Sequence, residues 1–155
     1  MDWKSIVLIG RLKVCMIVKL IFYHELHKFS QIMEIYKQEE NYKIVGICME
    51  VHRILGPGLL EIVYKDALEI EFKNNNIPYC REKEFVIEYK GNILPHKFYA
   101  DFIVYEEIIL EVKTVKEVTN EHLAQTLNYM KLADSQVGII ANFQNKSLTH
   151  KRLVI

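Results

Sequence analysis

Residues 100–115 read ADFIVYEEIILEVKTV, two runs rich in Ile, Val, Leu and Phe on either side of Tyr105, Glu106 and Glu107. Such runs belong inside a sheet, yet these carry Asp101, Glu111 and Lys113, and ionised side chains are rarely buried unless paired. Side chains alternate along a strand, so Glu111 and Lys113 project to one face and Leu110 and Val112 to the other. Asp101 joins the Glu111 face if the strands form an antiparallel hairpin with an odd loop of Tyr105, Glu106 and Glu107. A two-residue turn would set Asp101 opposite Val112 instead. With the odd loop, the two carboxylates stand about 4.5–5.5 Å apart at Cβ, which is unfavourable without a cation between them. Lys113 neutralises one charge, and a hard divalent ion such as Mg²⁺ or Mn²⁺ suits the remainder. Two simpler readings stay open: a wet hairpin face that solvates all three charges, and an ordinary salt-bridge cluster.

Outward from this hairpin, periodicity sets the other elements. Apolar positions Ile44, Ile47, Cys48, Val51, Ile54 and Leu55 recur at helical spacing, which predicts an amphipathic helix over 41–55. Gly56-Pro57-Gly58 breaks it, and a second helix is expected from about Leu59 to Lys73, burying Leu60, Val63, Tyr64, Ala67, Leu68 and Phe72. Asn74-Asn75-Asn76 and Pro78 end that helix. A strand is expected over Tyr79–Tyr89, with a turn at Lys90-Gly91-Asn92 in which Gly91-Asn92 suits a two-residue loop. Thr119 or Asn120 caps a third helix that reaches about Leu132. VGIIANF at 137–143 is continuously apolar, as in a strand covered on both faces, and residues 148–155 form an edge strand. The order α-α-β-β-β-α-β-β gives an α/β fold with a mixed sheet of four to five strands flanked by helices.

The length of 155 residues suits one domain, and 50% apolar with 26% charged residues is a globular composition. Cys15, Cys48 and Cys80 form no CxxC pair, and His52, His96 and His150 have no zinc spacing, so buried thiols in a reducing cytoplasm are expected. Residues 1–32 hold five Lys/Arg against Asp2 and Glu25, a net +3 that leaves −3 for residues 33–155. That acidic balance argues against a module that coats nucleic acid by charge alone. Residues 6–23 are apolar but interrupted by Arg11, Lys13 and Lys19, so no membrane span is expected. Residues 1–32 are read as a dispensable extension, or as an upstream misreading of a start at Met33, and residues 33–155 as the domain.

Two further segments bear on the charged hairpin. In GLLEIVY (58–64), Glu61 stands one turn into the second helix with Tyr64 at i+3, although a Glu there also suits the free amides of a helix start. In EHLAQTLNYMKL (121–132), His122, Gln125 and Tyr129 form a polar stripe beside apolar Leu123, Leu127 and Met130, a pattern that also marks a solvent boundary. Taken in order, GLLEIVY, YADFIVYEEIILEVKTV, EHLAQTLNYMKL, IIANF and KRL resemble the bacterial GxxExxY proteins, a branch of the PD-(D/E)XK nuclease superfamily.

This resemblance implies a restriction-endonuclease-like core and metal-assisted hydrolysis of phosphodiester bonds, in DNA or alternatively RNA. It makes Glu61, Asp101, Glu111 and Lys113 the catalytic set. Asp101, Glu111, the Val112 carbonyl and Glu61 would ligate Mg²⁺ or Mn²⁺. Gln125, Tyr129, Tyr64 and His122 would support these groups or touch substrate, His122 doubling as a helix-start residue. Ala100 stands where the superfamily's name has Pro. Lys97, Lys116, Lys151 and Arg152 are expected to form a basic strip for the nucleic acid. The rival expectation is a catalytically inactive nuclease-fold adaptor that binds nucleic acid or a protein. The sequence is silent on oligomeric state.

Overall fold

The computed structural model describes residues 37–155. The extension read at residues 1–32, the start at Met33 and Cys15 lie outside them. Helices α1 (Gln38–Leu55) and α2 (Glu61–Asn74) precede strands β1 (Tyr79–Tyr89), β2 (Asn92–Val104) and β3 (Ile108–Lys113). Helix α3 (Asn120–Leu132) then leads to β4 (Val137–Asn142) and β5 (Thr149–Val154). The five strands lie in chain order in one sheet. All neighbours are antiparallel except β3 and β4, which run parallel with α3 as their crossover. This is the mixed, helix-flanked α/β sheet that the periodicities predict, with five strands. No helix among the described residues is long and apolar enough to cross a membrane.

Strands β3 and β4 are buried at every position, so their apolar runs need no alternation. One face of the sheet carries α3. A Cβ built on Gly138 would lie 2.6 Å from Met130 Sδ and 2.9 Å from Thr126 Cγ2, so only glycine admits α3 this close to β4. The other face carries α2, whose Phe72 packs edge-on against Phe102 of β2 at 5.6 Å and whose Tyr64 stacks on Phe143 at 4.5 Å. From α1, His52 Nε2 donates to the Asn145 carbonyl oxygen at 2.9 Å, and its ring lies 6.0 Å from that of Phe143.

Several local expectations shift. Helix α2 begins at Glu61 with Leu60 as its extended N-cap, so Leu60 belongs to the loop and is 73% exposed. Val63 is exposed too; the buried stripe narrows to Tyr64, Leu68 and Phe72, one residue per turn. The β1–β2 turn is Lys90-Gly91, since Tyr89 pairs with Asn92, and both turn residues have positive φ, as a two-residue hairpin requires. Between the pairs Val86–Lys97 and Glu88–Ile93, β1 has one residue and β2 three, Pro95 among them. Proline cannot donate to a ladder, and the bulge accommodates it. Cys48 is buried as expected, and burial pushes its thiol up to about 12, whereas Cys80 is exposed.

Candidate active site

Strands β2 and β3 are paired from Val104 opposite Ile108 to Phe102 opposite Leu110, with Tyr105, Glu106 and Glu107 as the loop. The odd loop therefore exists. Tyr105 and Glu106 both have positive φ, at 54° and 64°, which closes the turn tightly. Beyond Phe102 the backbone ladder gives way to side chains. Asp101 N donates to Glu111 Oε1 at 3.2 Å, and Val112 N donates to Asp101 Oδ2 at 2.9 Å. Each carboxylate is thus gripped by the backbone of the opposite strand, so the two acids meet where the strands part.

Simple alternation is not how Asp101 gets there. Ala100 and Ile103 both join the cluster of Ile109, Tyr129 and Met130 beneath α3, although residues three apart on a regular strand face opposite ways. On β1, Glu82 has φ 50°, and although the register runs on unchanged from Arg81–Phe102 to Lys83–Ala100, the intervening Glu82 and Asp101 are not paired in the ladder. Irregularities of this kind re-aim side chains beside functional sites.

The electrostatics follow from burial. Glu111 is 1% exposed and Lys113 9%, and Lys113 Nζ lies 3.1 Å from Glu111 Oε2. Burial pushes the Glu111 carboxyl from 4.5 up to about 7, with the Asp101 charge adding to it and Lys113 offsetting only part. Burial alone would lower the Lys113 ammonium. The negative field of Glu111, Asp101 and Glu61 outweighs it, so Lys113 ends above its ordinary value and stays charged. Charge-assisted bonding therefore favours the open-strand cluster over a wet hairpin face: these groups are inside.

Glu61 reaches the same place from α2. Its Oε1 accepts from the amide of Thr114, the residue after β3, at 3.1 Å. It is the first residue of the helix and not the third, and its carboxylate serves the strand end and not the free amides of its own helix. The surrounding loop explains why. Gly56 and Gly58 have φ of 69° and 98°, which side chains rarely tolerate. Tyr64, fully buried, donates from its hydroxyl to Gly56 O at 2.6 Å and accepts from Leu59 N at 3.2 Å. Gly58, Glu61 and Tyr64 thus form one device: the glycine makes the turn, the tyrosine closes it, and the glutamate pins β3. Tyr64 acts through the loop, with its hydroxyl committed there.

From α3, Gln125 Nε2 donates to Tyr129 Oη at 3.1 Å. Burial raises the Tyr129 phenol, Gln125 counteracts, and the Glu111 charge raises it further, so Tyr129 stands within the field of the carboxylates. His122 is engaged elsewhere: its Nδ1 accepts from Thr119 N at 3.0 Å, completing a capping box at the start of α3. The basic strip breaks up. Lys116 and Lys151 line one groove with His150 and Asn142, but Lys97 is held by Glu84 at 3.0 Å on the β1–β2 ribbon. Arg152 pairs with Ile139 and Lys151 with Ile140, so the two project from opposite faces of β5.

One site residue was missed. Lys65 Nζ lies 3.1 Å from Asp101 Oδ1 and 3.3 Å from Glu82 Oε1. Its place one turn after Glu61 on the same helix face was the available signal.

The donor set fits a hard divalent cation. Phe143 N donates to Lys113 O on the β4 side at 2.8 Å. Successive residues point alternately, so the Val112 carbonyl leaves the strand toward Asp101, the side its amide also faces. Two carboxylates and a carbonyl are the protein share of a magnesium shell that keeps several waters. Among the described residues no three His, Cys, Asp or Glu side chains are grouped closely enough to hold an ion by themselves.

A family model described as the PD-(D/E)XK nuclease superfamily matches residues 38–153. Among solved structures, the chain is similar to one titled "Crystal structure of SSO0001", with 20% identity and a TM-score of 0.50, over 77% of this chain. This chain spans 60% of the length of that protein, and at such identity the likeness shows the fold alone. None of the curated proteins matches. From the first described helix to the last strand, with the hairpin acids and Lys113 inside the matched span, the chain belongs to the PD-(D/E)XK nuclease superfamily.

Proposed function

We propose that this protein is a divalent-metal-dependent nuclease of the GxxExxY branch, acting in the bacterial cytoplasm on phosphodiester bonds of DNA, with RNA as the alternative polymer, and that residues 33–155 form its domain. The observation that carries the reading is the parting of β2 and β3 at Asp101 and Glu111, with Lys113 buried beside them. Asp101, Glu111 and the Val112 carbonyl would hold Mg²⁺ or Mn²⁺. When bound, such an ion polarises the phosphoryl oxygen and lowers the pKa of water. Lys113 stabilises negative charge gathering on the phosphate or orients the attacking water. Glu61 holds the end of β3, and so the aim of Lys113, through the Thr114 amide. Tyr129, braced by Gln125, lies in the field of these groups and can support them or touch the nucleic-acid backbone.

A panel of DNA and RNA substrates with and without Mn²⁺, run beside Asp101→Ala, tests this. Cleavage that needs the ion and vanishes in the variant is expected. A second reading, the inactive adaptor, is favoured by one observation: every oxygen of Asp101 and Glu111 already has a partner within the chain. No cleavage of any substrate, with no divalent-ion binding in calorimetry, would select it.

A further inference from the structure

Asp101 and Glu111 present four carboxylate oxygens, and the chain itself satisfies each of them. Asp101 Oδ2 and Glu111 Oε1 take the backbone amides of Val112 and Asp101, while Asp101 Oδ1 takes Lys65 and Glu111 Oε2 takes Lys113, both at 3.1 Å. A cation arriving at these acids therefore meets an ammonium already seated on each of them. The two lysines are not equivalent. Lys113 projects from the same strand as Glu111, its side chain 11% exposed, and besides Glu111 the charges of Asp101 and Glu61 act on it. Lys65 comes from a helix, and its ammonium already touches a second acid, Glu82, which belongs to neither side of the metal donor set. The Glu82 side chain is 54% exposed against 16% for Asp101, and its backbone has positive φ where it stands unpaired opposite Asp101.

We infer that Lys65 is the resident counter-cation of the ion-free site: it neutralises Asp101 until a divalent ion binds and is then taken over by Glu82. This rests on the metal-dependent reading above and gives the site a built-in competitor. Removing Lys65 should tighten ion binding, because one competing ion pair disappears. Removing the Glu82 charge should weaken it, because the displaced ammonium loses its acceptor. With Lys65 gone, Glu82 should no longer matter.

Mn²⁺ titrations by calorimetry on the full chain, without nucleic acid, test the inference with Lys65→Met, Glu82→Gln and the double variant, each checked for an intact melting transition. Tightening of about tenfold in Lys65→Met is expected, the effect of about one lost ion pair in a partly buried site. A few-fold weakening in Glu82→Gln that is abolished in the double variant is expected with it. Unchanged or weaker binding in Lys65→Met would overturn the inference, as would Glu82→Gln acting equally in both backgrounds. If the unmodified protein binds Mn²⁺ and Asp101→Ala does not, such a result sinks only the role of Lys65. If neither the unmodified protein nor Lys65→Met binds the ion, the metal-dependent reading fails as well.

Discussion

Glu111 is a carboxyl almost wholly removed from water, and it makes a signed pH prediction. An unfolded chain releases its proton near 4.5, whereas burial beside Asp101 holds it to about 7 in the ion-free fold. Between those values the folded state carries a proton that the unfolded state lacks. Stability from this group is therefore fullest at or below pH 4.5 and declines as pH rises to about 7, by about 3 kcal/mol. Thermal melts in chelator between pH 5 and 8 should show the decline, and Glu111→Gln should remove that part of the slope. An identical slope in the variant would refute the burial argument. At this scale the acids and Lys113 were legible because charges inside apolar runs stand out. Lys65 was not, because a lysine on an amphipathic helix looks like any other until Asp101 is placed opposite it.

Elements position those residues through two close fits. Gly138 lets α3 lie on β4, so Gly138→Ala should force Met130 and the stiff, branched Thr126 aside at a cost of about 1–3 kcal/mol, read as a lowered melting temperature. Tyr64→Phe should cost about 1–2 kcal/mol, since it removes the hydroxyl that donates to Gly56 O and accepts from Leu59 N. Its measure is the denaturant midpoint at unchanged slope; no shift would mean that the loop closes without it. Helix and strand periods predicted every element here, since burial on one face imposes them. The start of α2 was misplaced because Gly58 and Leu60 carry no pattern that says how far the turn runs before helical bonding begins. The difference of two residues decides whether Glu61 caps its own helix or pins β3.

For the whole molecule the question is how a chain of zero formal charge would hold a polyanion. Lys116 and Lys151 share a groove whose wall includes Asn142, the partner of Lys113 in the parallel pair. If nucleic acid runs through it, Lys116→Ala and Lys151→Ala should each lower the slope of log affinity against log salt by about one. Lys97→Ala, already held by Glu84, should leave it unchanged. Filter binding across a salt series measures this; equal effects of all three would return the strip to an undifferentiated surface charge.

By itself the sequence determined the order of elements and the mixed sheet, because hydrophobic period is a local property, and it narrowed the β2–β3 connection to an odd loop or a two-residue turn. It also picked out the two acids and their lysine. Only the tertiary structure decided that β2 and β3 separate at Asp101, that Glu61 serves a strand and Tyr64 a loop, and that Lys65 and Glu82 join the site. Those outcomes depend on which groups meet across 5 to 53 residues of chain, and no local period encodes such a meeting.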